Sequence, residues 1–533
     1  MKRPLLGDEA VGQAAIDAGI TTAYGYPGTP ATEILEFVER HARADPSVRA
    51  AWAANEKVAY EQAVGTSFAG RRSLAVMKHV GLNVAADPFV NSALTGAGGG
   101  LVLAIADDPG MHSSQNEQDS RFYADFAQVP CYEPADPQEA YDMTREAFET
   151  SERFQIPVMV RLVTRVAHAR AGVETGAPRG QNPLAPSREA ERWTLLPSTA
   201  RARYDGLLAK QPGLRAFSEG HPANALYLSP DGGEVGVVAA GIGYAYFRDA
   251  FGDAPPSYLR IGFYPAPAGK LRRLLDHART VVFLEEGYPF LERGVVGLAG
   301  GANGRFRGRL SGDVPPSGEL TPDVALRLFG KLGDGQDAPS PWLRERPPQL
   351  CPGCAHADAF EAIDALRAEH ERLAVFGDIG CYTLGYYRPH EILDSCLDMG
   401  ASIAMAKGAA DAGMFPVLCV IGDSTFGHSG MTPLLTAARE DTNMVVVVLD
   451  NGSVAMTGAQ VSLSTGARLR AIVEALGVPR ERVRVIRPAP RDREENVAVL
   501  RREIAHAGLS VVIAERPCLY NPKPSPSGRG ARE

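Results

Sequence analysis

Two apolar runs, Val417 to Ile421 and Met444-Val-Val-Val-Val-Leu449, flank a single amphipathic segment. Short runs rich in β-branched residues are strands buried on both faces, and such strands belong to a parallel sheet with helical crossovers. Each run ends in a loop that carries hard oxygen ligands. The first continues as Gly422-Asp423-Ser424-Thr425, the second as Asp450-Asn451-Gly452-Ser453. In open α/β sheets, ligands bind beyond the carboxyl ends of the strands. Asp423 and Asn451, 28 residues apart in sequence, are therefore expected to meet at one sheet edge. Magnesium prefers octahedral oxygens and takes only a few from protein. The expected set is Asp423, the Asn451 side chain and the Ser453 carbonyl. A Gly-Asp pair alone is an ordinary turn, and the matched second strand is what favours a cation site.

The 533-residue length predicts more than one domain, and three are expected. With 45% hydrophobic and 22% charged residues, the composition is that of a soluble globular protein. A net charge of −8 argues against a nucleic-acid partner. No apolar run is long enough to span a membrane. The start carries Asp8 and Glu9 and then an amphipathic helix with Val11, Ala14, Ala15 and Ala18, unlike a signal peptide, so a cytoplasmic location is expected. Seven cysteines, unevenly placed, do not form a disulfide framework.

Alternating helix and strand patterns organise the chain as a doubly wound α/β protein. The first domain is expected over 1–167, with strands Thr22 to Tyr26, Val48 to Ala53, Ser73 to Lys78, Leu101 to Ala106 and Pro157 to Leu162. Helices are expected from Ala31 to His41 and from Glu56 to Ala69. Residues 168–232, rich in Gly, Pro, Arg and Ser, read as an ordered crossover. A second α/β unit spans 233–332, with strands Val235 to Ala240 and Thr280 to Glu285. A linker follows at 333–341, then a third unit at 342–521. The tail, 522–533, has the composition of a disordered segment.

The Gly-Asp start and the Asn some 28 residues on resemble the signature of thiamine-diphosphate enzymes, whose magnesium holds the cofactor's diphosphate. Ser424 stands where many relatives have Gly, and its hydroxyl could hydrogen-bond a phosphate. Such enzymes also need a Glu against the pyrimidine ring, in an apolar cleft at a strand-to-helix junction. Glu56 in Trp52-Ala-Ala-Asn55-Glu56 fits. By itself it is equally a carboxylate favoured at a helix N-terminus. Further segments make the resemblance specific: Tyr24-Gly-Tyr-Pro-Gly-Thr-Pro30, Asn55-Glu-Lys-Val-Ala59, Met77-Lys-His-Val-Gly-Leu-Asn83, the run Asp107 to Asp119, Leu350-Cys-Pro-Gly-Cys354, Gly377-Asp-Ile-Gly-Cys-Tyr382 and Met399-Gly-Ala-Ser402. Together they resemble the alpha-subunit family of indolepyruvate:ferredoxin oxidoreductase, in the same order over almost the whole chain.

That resemblance implies three transketolase-like α/β domains. It implies oxidative decarboxylation of 2-oxo acids such as aryl pyruvates, with the acyl group passed to coenzyme A. It implies a small beta- or gamma-type partner subunit, ferredoxin or another electron acceptor, and a dimer of catalytic chains. It surrounds the cofactor with Gly377, Asp378, Gly380, Cys381, Tyr382, Met399, Gly400, Gly422, Asp423, Ser424, Thr425, Asn451 and Ser453. Thr29, Lys78 and His79, at strand ends, become substrate contacts that hold a carboxylate or polarise a ketone, although a Lys-His pair is commonly a surface feature. His112 and His428 are weaker candidates.

Cys351, Cys354, Cys381 and Cys518 form the quartet that in this family holds one [4Fe–4S] cluster. The residues themselves leave open structural zinc, or a tight turn with small buried thiols and no metal. Cys131, Cys396 and Cys419 read as core residues. The family's alpha subunit continues into a ferredoxin-like tail, whereas this sequence stops soon after Cys518, so electron exit through a separate protein is expected. Two other classes remain in view: a non-oxidative thiamine-dependent 2-oxoacid decarboxylase, and a non-catalytic subunit that has kept the fold. Iron content separates the first, and failure to bind thiamine diphosphate would favour the second.

Overall fold

A computed structural model describes residues 2–185, 190–230, 233–299, 305–315, 318–332, 342, 349–370 and 373–521. The expected linker 333–341 and tail 522–533 lie outside the described residues. The chain divides into two compact units, Met1–Asp337 and Ala338–Glu533.

In the first unit the strands are β1 (Lys2–Leu6), β2 (Thr22–Gly25), β3 (Arg49–Trp52), β4 (Ser73–Lys78), β5 (Leu101–Asp107), β6 (Cys131–Tyr132), β7 (Val158–Val163), β8 (Arg170–Glu174), β9 (Leu226–Tyr227), β10 (Val235–Ala240), β11 (Ser257–Ile261), β12 (Phe263–Tyr264), β13 (Thr280–Leu284) and β14 (Phe306–Arg307). They build a seven-stranded sheet in the order β12-β6-β7-β5-β4-β2-β3 and a five-stranded sheet in the order β14-β13-β10-β11-β9. The long sheet is parallel except for β12 at its edge. Its strands β4, β5 and β7 are buried at every residue, which is why they read as continuous apolar runs.

The helix Pro197–Gly220 runs through the segment that reads as a crossover. Pro197 sits in its first turn and Pro212 inside it, and these prolines hide it from the sequence pattern. The chain passes between the sheets where β11 gives way to β12. Around this passage Arg161 and Arg121, both fully buried, bind several acids. Arg161 pairs with Asp107 at 2.7 Å and Glu133 at 2.5 Å, and Arg121 with Asp119 at 2.5 Å and Glu285 at 3.0 Å. Buried guanidinium groups persist only when paired this fully.

The second unit contains β15 (Ala374–Gly377), β16 (Ser395–Cys396), β17 (Val417–Gly422), β18 (Met444–Asp450), the short pair β19 (Ser453–Val454) and β20 (Gln460–Val461), β21 (Val483–Ile486) and β22 (Leu509–Glu515). Six of these form one parallel sheet, β16-β15-β17-β18-β22-β21. One core packs helix Ala355–Glu369 on one face, and another packs helix Ala401–Asp411 on the other. Cys131 and Cys419 are buried as expected. Cys396 is exposed, on the two-residue strand β16 at the edge of its sheet.

Strand order fixes where each sheet can bind a ligand. From β2 the chain goes first to β3 on one side and then to β4 on the other. From β15 it goes first to β16 and then across to β17. Each reversal leaves a crevice beyond the carboxyl ends of the two strands.

Candidate active site

The crevice of the second unit holds the two loops singled out in the sequence. Asp423, directly after β17, is buried, and its Oδ2 accepts from the Gly452 N–H at 3.1 Å. Asn451, directly after β18, accepts the Ser453 N–H on Oδ1 at 3.0 Å and places Nδ2 3.5 Å from His356 Nε2. Burial, and then the charge of Asp450, pushes the Asp423 carboxyl up to about 7. A cation at this carboxylate would reverse that push. Asp450 is turned away to cap the next helix, accepting from Thr465 Oγ1 and from the Gly466 N–H at 2.6 Å.

The loop after β15 lines the same crevice. Asp378 is fully buried and accepts from the Gly400 N–H at 2.8 Å and the Ser402 N–H at 3.0 Å, which joins the Gly377–Tyr382 and Met399–Gly400 segments. Gly400 is left-handed, at φ +98°, and a β carbon there would lie 2.5 Å from Ser429 Cβ. Thr425 and Tyr382 both donate to the Ile379 carbonyl, at 2.8 and 2.9 Å. The Tyr382 ring fills the space over Gly422, where a β carbon would meet it at 2.6 Å.

The polar atoms at this crevice fit a diphosphate and its cation. The hydroxyls of Ser424 and Ser453 are buried and, among the described residues, without a hydrogen-bond partner. Buried hydroxyls in that state are unusual unless a ligand or water completes them. Asp423, Asn451 and the Ser453 backbone supply the hard oxygens magnesium takes. His428 is buried beside Ser429, with Nδ1 2.5 Å from its hydroxyl.

Hydrogen bonds link the segments that carry Cys351, Cys354 and Cys518. Cys351 and Cys354 close a turn through the Cys354 N–H to Cys351 carbonyl bond at 3.0 Å. Arg516 binds the Gly353 carbonyl at 3.0 Å, which ties that turn to the segment after β22. The Cys518 N–H donates to the Asn451 carbonyl at 3.0 Å. Burial pushes the Cys381 thiol up to about 12, and Cys354, Cys518 and Cys351 push it in the same direction. Cys354 is raised likewise by burial, with Cys351 and Cys518 contributing. A metal centre at these thiols would hold them as thiolates.

In the first unit, Thr29, Glu56 and His79 follow the neighbouring strands β2, β3 and β4 at the carboxyl edge, and Lys78 ends β4. Asn55 caps the helix Glu56–Phe68 by accepting the Val58 N–H at 2.9 Å. Glu56 is buried, and its carboxyl lies against Gly81, where a β carbon would be 2.5 Å from Oε1. Lys78 Nζ donates to the Ser113 carbonyl at 3.2 Å, and Ser113 Oγ donates to the Thr29 carbonyl at 3.1 Å. Burial draws the Lys78 ammonium down to about 8, against the pull of Asp108 and Glu56. His79 is fully buried with Nε2 3.1 Å from the Asn116 carbonyl, and burial lowers its basicity. His112 instead points to Glu319, at 3.4 Å.

Two residues of these clefts escaped the sequence reading. Asp108, after β5, accepts from Ser114 Oγ at 2.7 Å and Thr164 Oγ1 at 2.9 Å. The strand-end rule that found Asp423 applies to it equally. His356 is buried beside Asn451 and sits edge-on to Tyr382, with ring centroids 5.8 Å apart. No local pattern announces it beyond its place two residues after Cys354.

Comparison with known proteins agrees with this geometry. Residues 13–199 match the family model for the thiamine-diphosphate-binding region of pyruvate flavodoxin/ferredoxin oxidoreductase, and residues 378–514 match the C-terminal cofactor-binding domain of thiamine pyrophosphate enzymes. A solved 2-oxoglutarate:ferredoxin oxidoreductase from Magnetococcus marinus shares the fold at a TM-score of 0.50 and 15% identity, covering 62% of this chain and 65% of that one. Fold, crevices and matched regions define a thiamine-diphosphate-dependent oxidoreductase of the 2-oxoacid class. The chain is 38% identical to the indolepyruvate oxidoreductase subunit IorA of Archaeoglobus fulgidus, over 96% of this chain and 86% of that protein. With the IorA of Methanothermobacter thermautotrophicus it shares 37% identity, over 97% and 87%. It belongs to the IorA family. Among the described residues, no helix is long and apolar enough to cross a membrane.

Proposed function

We propose that this chain is the catalytic subunit that oxidatively decarboxylates an aryl pyruvate such as indolepyruvate. The balanced reaction takes a 2-oxo acid anion and coenzyme A to acyl-CoA and carbon dioxide, releasing one proton and two electrons. Bound thiamine diphosphate supplies the carbanion equivalent that attacks the ketone. Asp423, Asn451 and the Ser453 carbonyl hold Mg²⁺, and Ser424, Thr425 and the Asp378–Tyr382 and Met399–Gly400 loops line the diphosphate. Glu56 would hydrogen-bond the cofactor's pyrimidine ring and hold the proton that its imino form needs. Lys78, with Thr29 and His79, binds the substrate carboxylate or ketone.

One observation favours oxidation over simple decarboxylation. The Cys518 N–H to Asn451 carbonyl bond at 3.0 Å ties the thiol quartet to the magnesium loop. Cys351, Cys354, Cys381 and Cys518 would hold one [4Fe–4S] cluster, which would supply a one-electron acceptor, with ferredoxin or a similar carrier as the onward partner. The substrate class and the need for a partner subunit rest on the named relatives. The test is anaerobic purification with the neighbouring small subunit, an iron assay, and a panel of 2-oxo acids with viologen dye and coenzyme A. Aryl pyruvates are expected to give the highest kcat/KM. Active protein without iron would support the non-oxidative decarboxylase instead.

Two variants probe the cofactor and substrate contacts. Asp423→Ala is expected to abolish Mg²⁺-dependent binding of thiamine diphosphate while the circular dichroism spectrum is kept. Unchanged affinity by calorimetry would remove Asp423 from the site. Lys78 loses its proton above about pH 8. KM for the 2-oxo acid is therefore expected to rise about tenfold per pH unit beyond that point, with kcat changing less. Lys78→Met should show the raised KM at every pH and lack this limb; a limb that persists in the variant assigns it to another group.

A further inference from the structure

We propose that Asp8, Glu33 and His168 form a binding site for a divalent transition metal of the zinc type. The three lie on different elements. Asp8 is in the first turn of helix Gly7–Asp17, Glu33 in the first turn of helix Thr32–Ala42, and His168 ends helix Thr164–His168. The backbone fixes their approach. β1 pairs antiparallel with β8, Leu6 opposite Arg170, and the Gly7 N–H donates to the Ala169 carbonyl at 3.0 Å. A β carbon at Gly7 would lie 2.0 Å from the Val166 carbonyl oxygen, so only glycine allows this contact. One ligand atom from each of the three side chains lies within 4.8 Å of the other two.

The second observation is the state of Asp8. It is fully buried, no N–H or O–H donor among the described residues reaches either carboxylate oxygen, and the group facing it is the Glu33 carboxyl, near enough to share a proton with it. Glu33 Oε2 likewise has no such donor. No Lys or Arg among the described residues pairs with either acid, and His168 Nε2 is 3.9 Å from Glu33 Oε1. The nearby Glu9 adds repulsion, and its own partners are Arg40 at 3.3 Å and the Leu6 N–H at 3.1 Å. Burial, and then the facing Glu33, hold the Asp8 carboxyl well above the usual carboxylate range, so its charged form is strongly disfavoured without a cation. Two such acids facing each other need a proton or a cation between them.

The ligand set favours the cation. Two carboxylates balance a divalent charge, and neutral imidazole is the ligand that transition metals add to carboxylates. Calcium would want six to eight oxygens, which these residues do not supply. In a tetrahedral zinc site the ligand atoms lie roughly 3.3–3.5 Å apart, so the three side chains need to close by only about an ångström. Glu33 and His168 are partly exposed, leaving an entrance and a position for water.

Cobalt loading tests this in the full chain, because Co²⁺ reports its ligands by colour. Cysteine-bound cobalt gives a thiolate charge-transfer band, whereas an Asp-Glu-His site gives only weak visible bands. His168→Ala and Glu33→Gln are each expected to bind roughly one equivalent less metal after dialysis and to lose the weak bands, with the thiolate band unchanged. Zn²⁺ should raise the thermal midpoint of the natural protein by more than that of either variant. Equal metal content in all three proteins overturns the proposal. An infrared band of a protonated carboxylic acid that Asp8→Asn removes would then assign a shared proton to the pair. His168→Ala changes a partly exposed side chain, so a folded variant is available even if Asp8→Asn fails to fold.

Discussion

Glu56→Gln is expected to leave thiamine diphosphate binding intact while slowing exchange of the cofactor's C2 proton by about 10²–10⁴-fold, the usual loss when one proton-transfer partner is removed. Glutamine keeps the length and shape of the side chain, so its packing against Gly81 survives. That contact leaves no room for a β carbon, which would fall 2.5 Å from Glu56 Oε1. The Asn55 cap is independent of the carboxyl and continues to hold the start of the helix. What changes is that an amide cannot share a proton with a ring nitrogen as a carboxylate does. NMR of exchange with labelled water separates binding from proton transfer, and kcat should fall in parallel. Near-normal exchange would transfer the role to another acid, and Asp108 is the alternative, since its charge, like that of Glu56, acts on Lys78.

Both acids follow strands of one sheet, yet only Glu56 was legible in the sequence. A strand buried at every residue announces itself by composition, and the first polar residue after it faces the crevice. That logic located Asp423, Asn451 and Lys78 correctly as strand-end residues, because β17, β18 and β4 are buried along their whole length. It applies equally to Asp108 after β5, which lies inside a longer polar run and so does not stand out. Helix Pro197–Gly220 was illegible because its prolines imitate a loop. His356 and the Asp8–Glu33–His168 group were illegible for a different reason. Their neighbours come from distant parts of the chain, and no spacing rule links an N-terminal helix to a histidine 160 residues later. The cysteines lie between these cases: their number and the Cys-x-x-Cys loop are visible, but the link between their segments depends on the turn at Gly353 and the path after β22.

Cys381→Ser is expected to lose most of the iron, which should be close to four atoms per chain in anaerobically purified protein, about the content of a single cubane. The reason lies in the thiols' mutual influence. Burial first, and then Cys354, Cys518 and Cys351, hold the Cys381 thiol near 12. Without a cation the four resist ionising together, and a serine hydroxyl, a still weaker acid, is a poorer ligand for iron than a thiolate. Dye-linked oxidation should vanish with the cluster, and so should the low-potential signal seen by electron paramagnetic resonance after reduction. Slow release of aldehyde should persist, because Glu56, Asp423 and Asn451 are untouched and decarboxylation itself needs no electron acceptor. This pattern distinguishes the three readings of the quartet. A zinc site gives zinc in place of iron and no resonance signal, and its loss destabilises the fold without a selective loss of oxidation. Thiols with no metal give a variant equal to the natural protein in iron and in dye reduction. Only a redox cluster couples iron loss to the loss of oxidation while sparing decarboxylation, and a Cys381→Ser protein that still reduces viologen at the natural rate would end that reading.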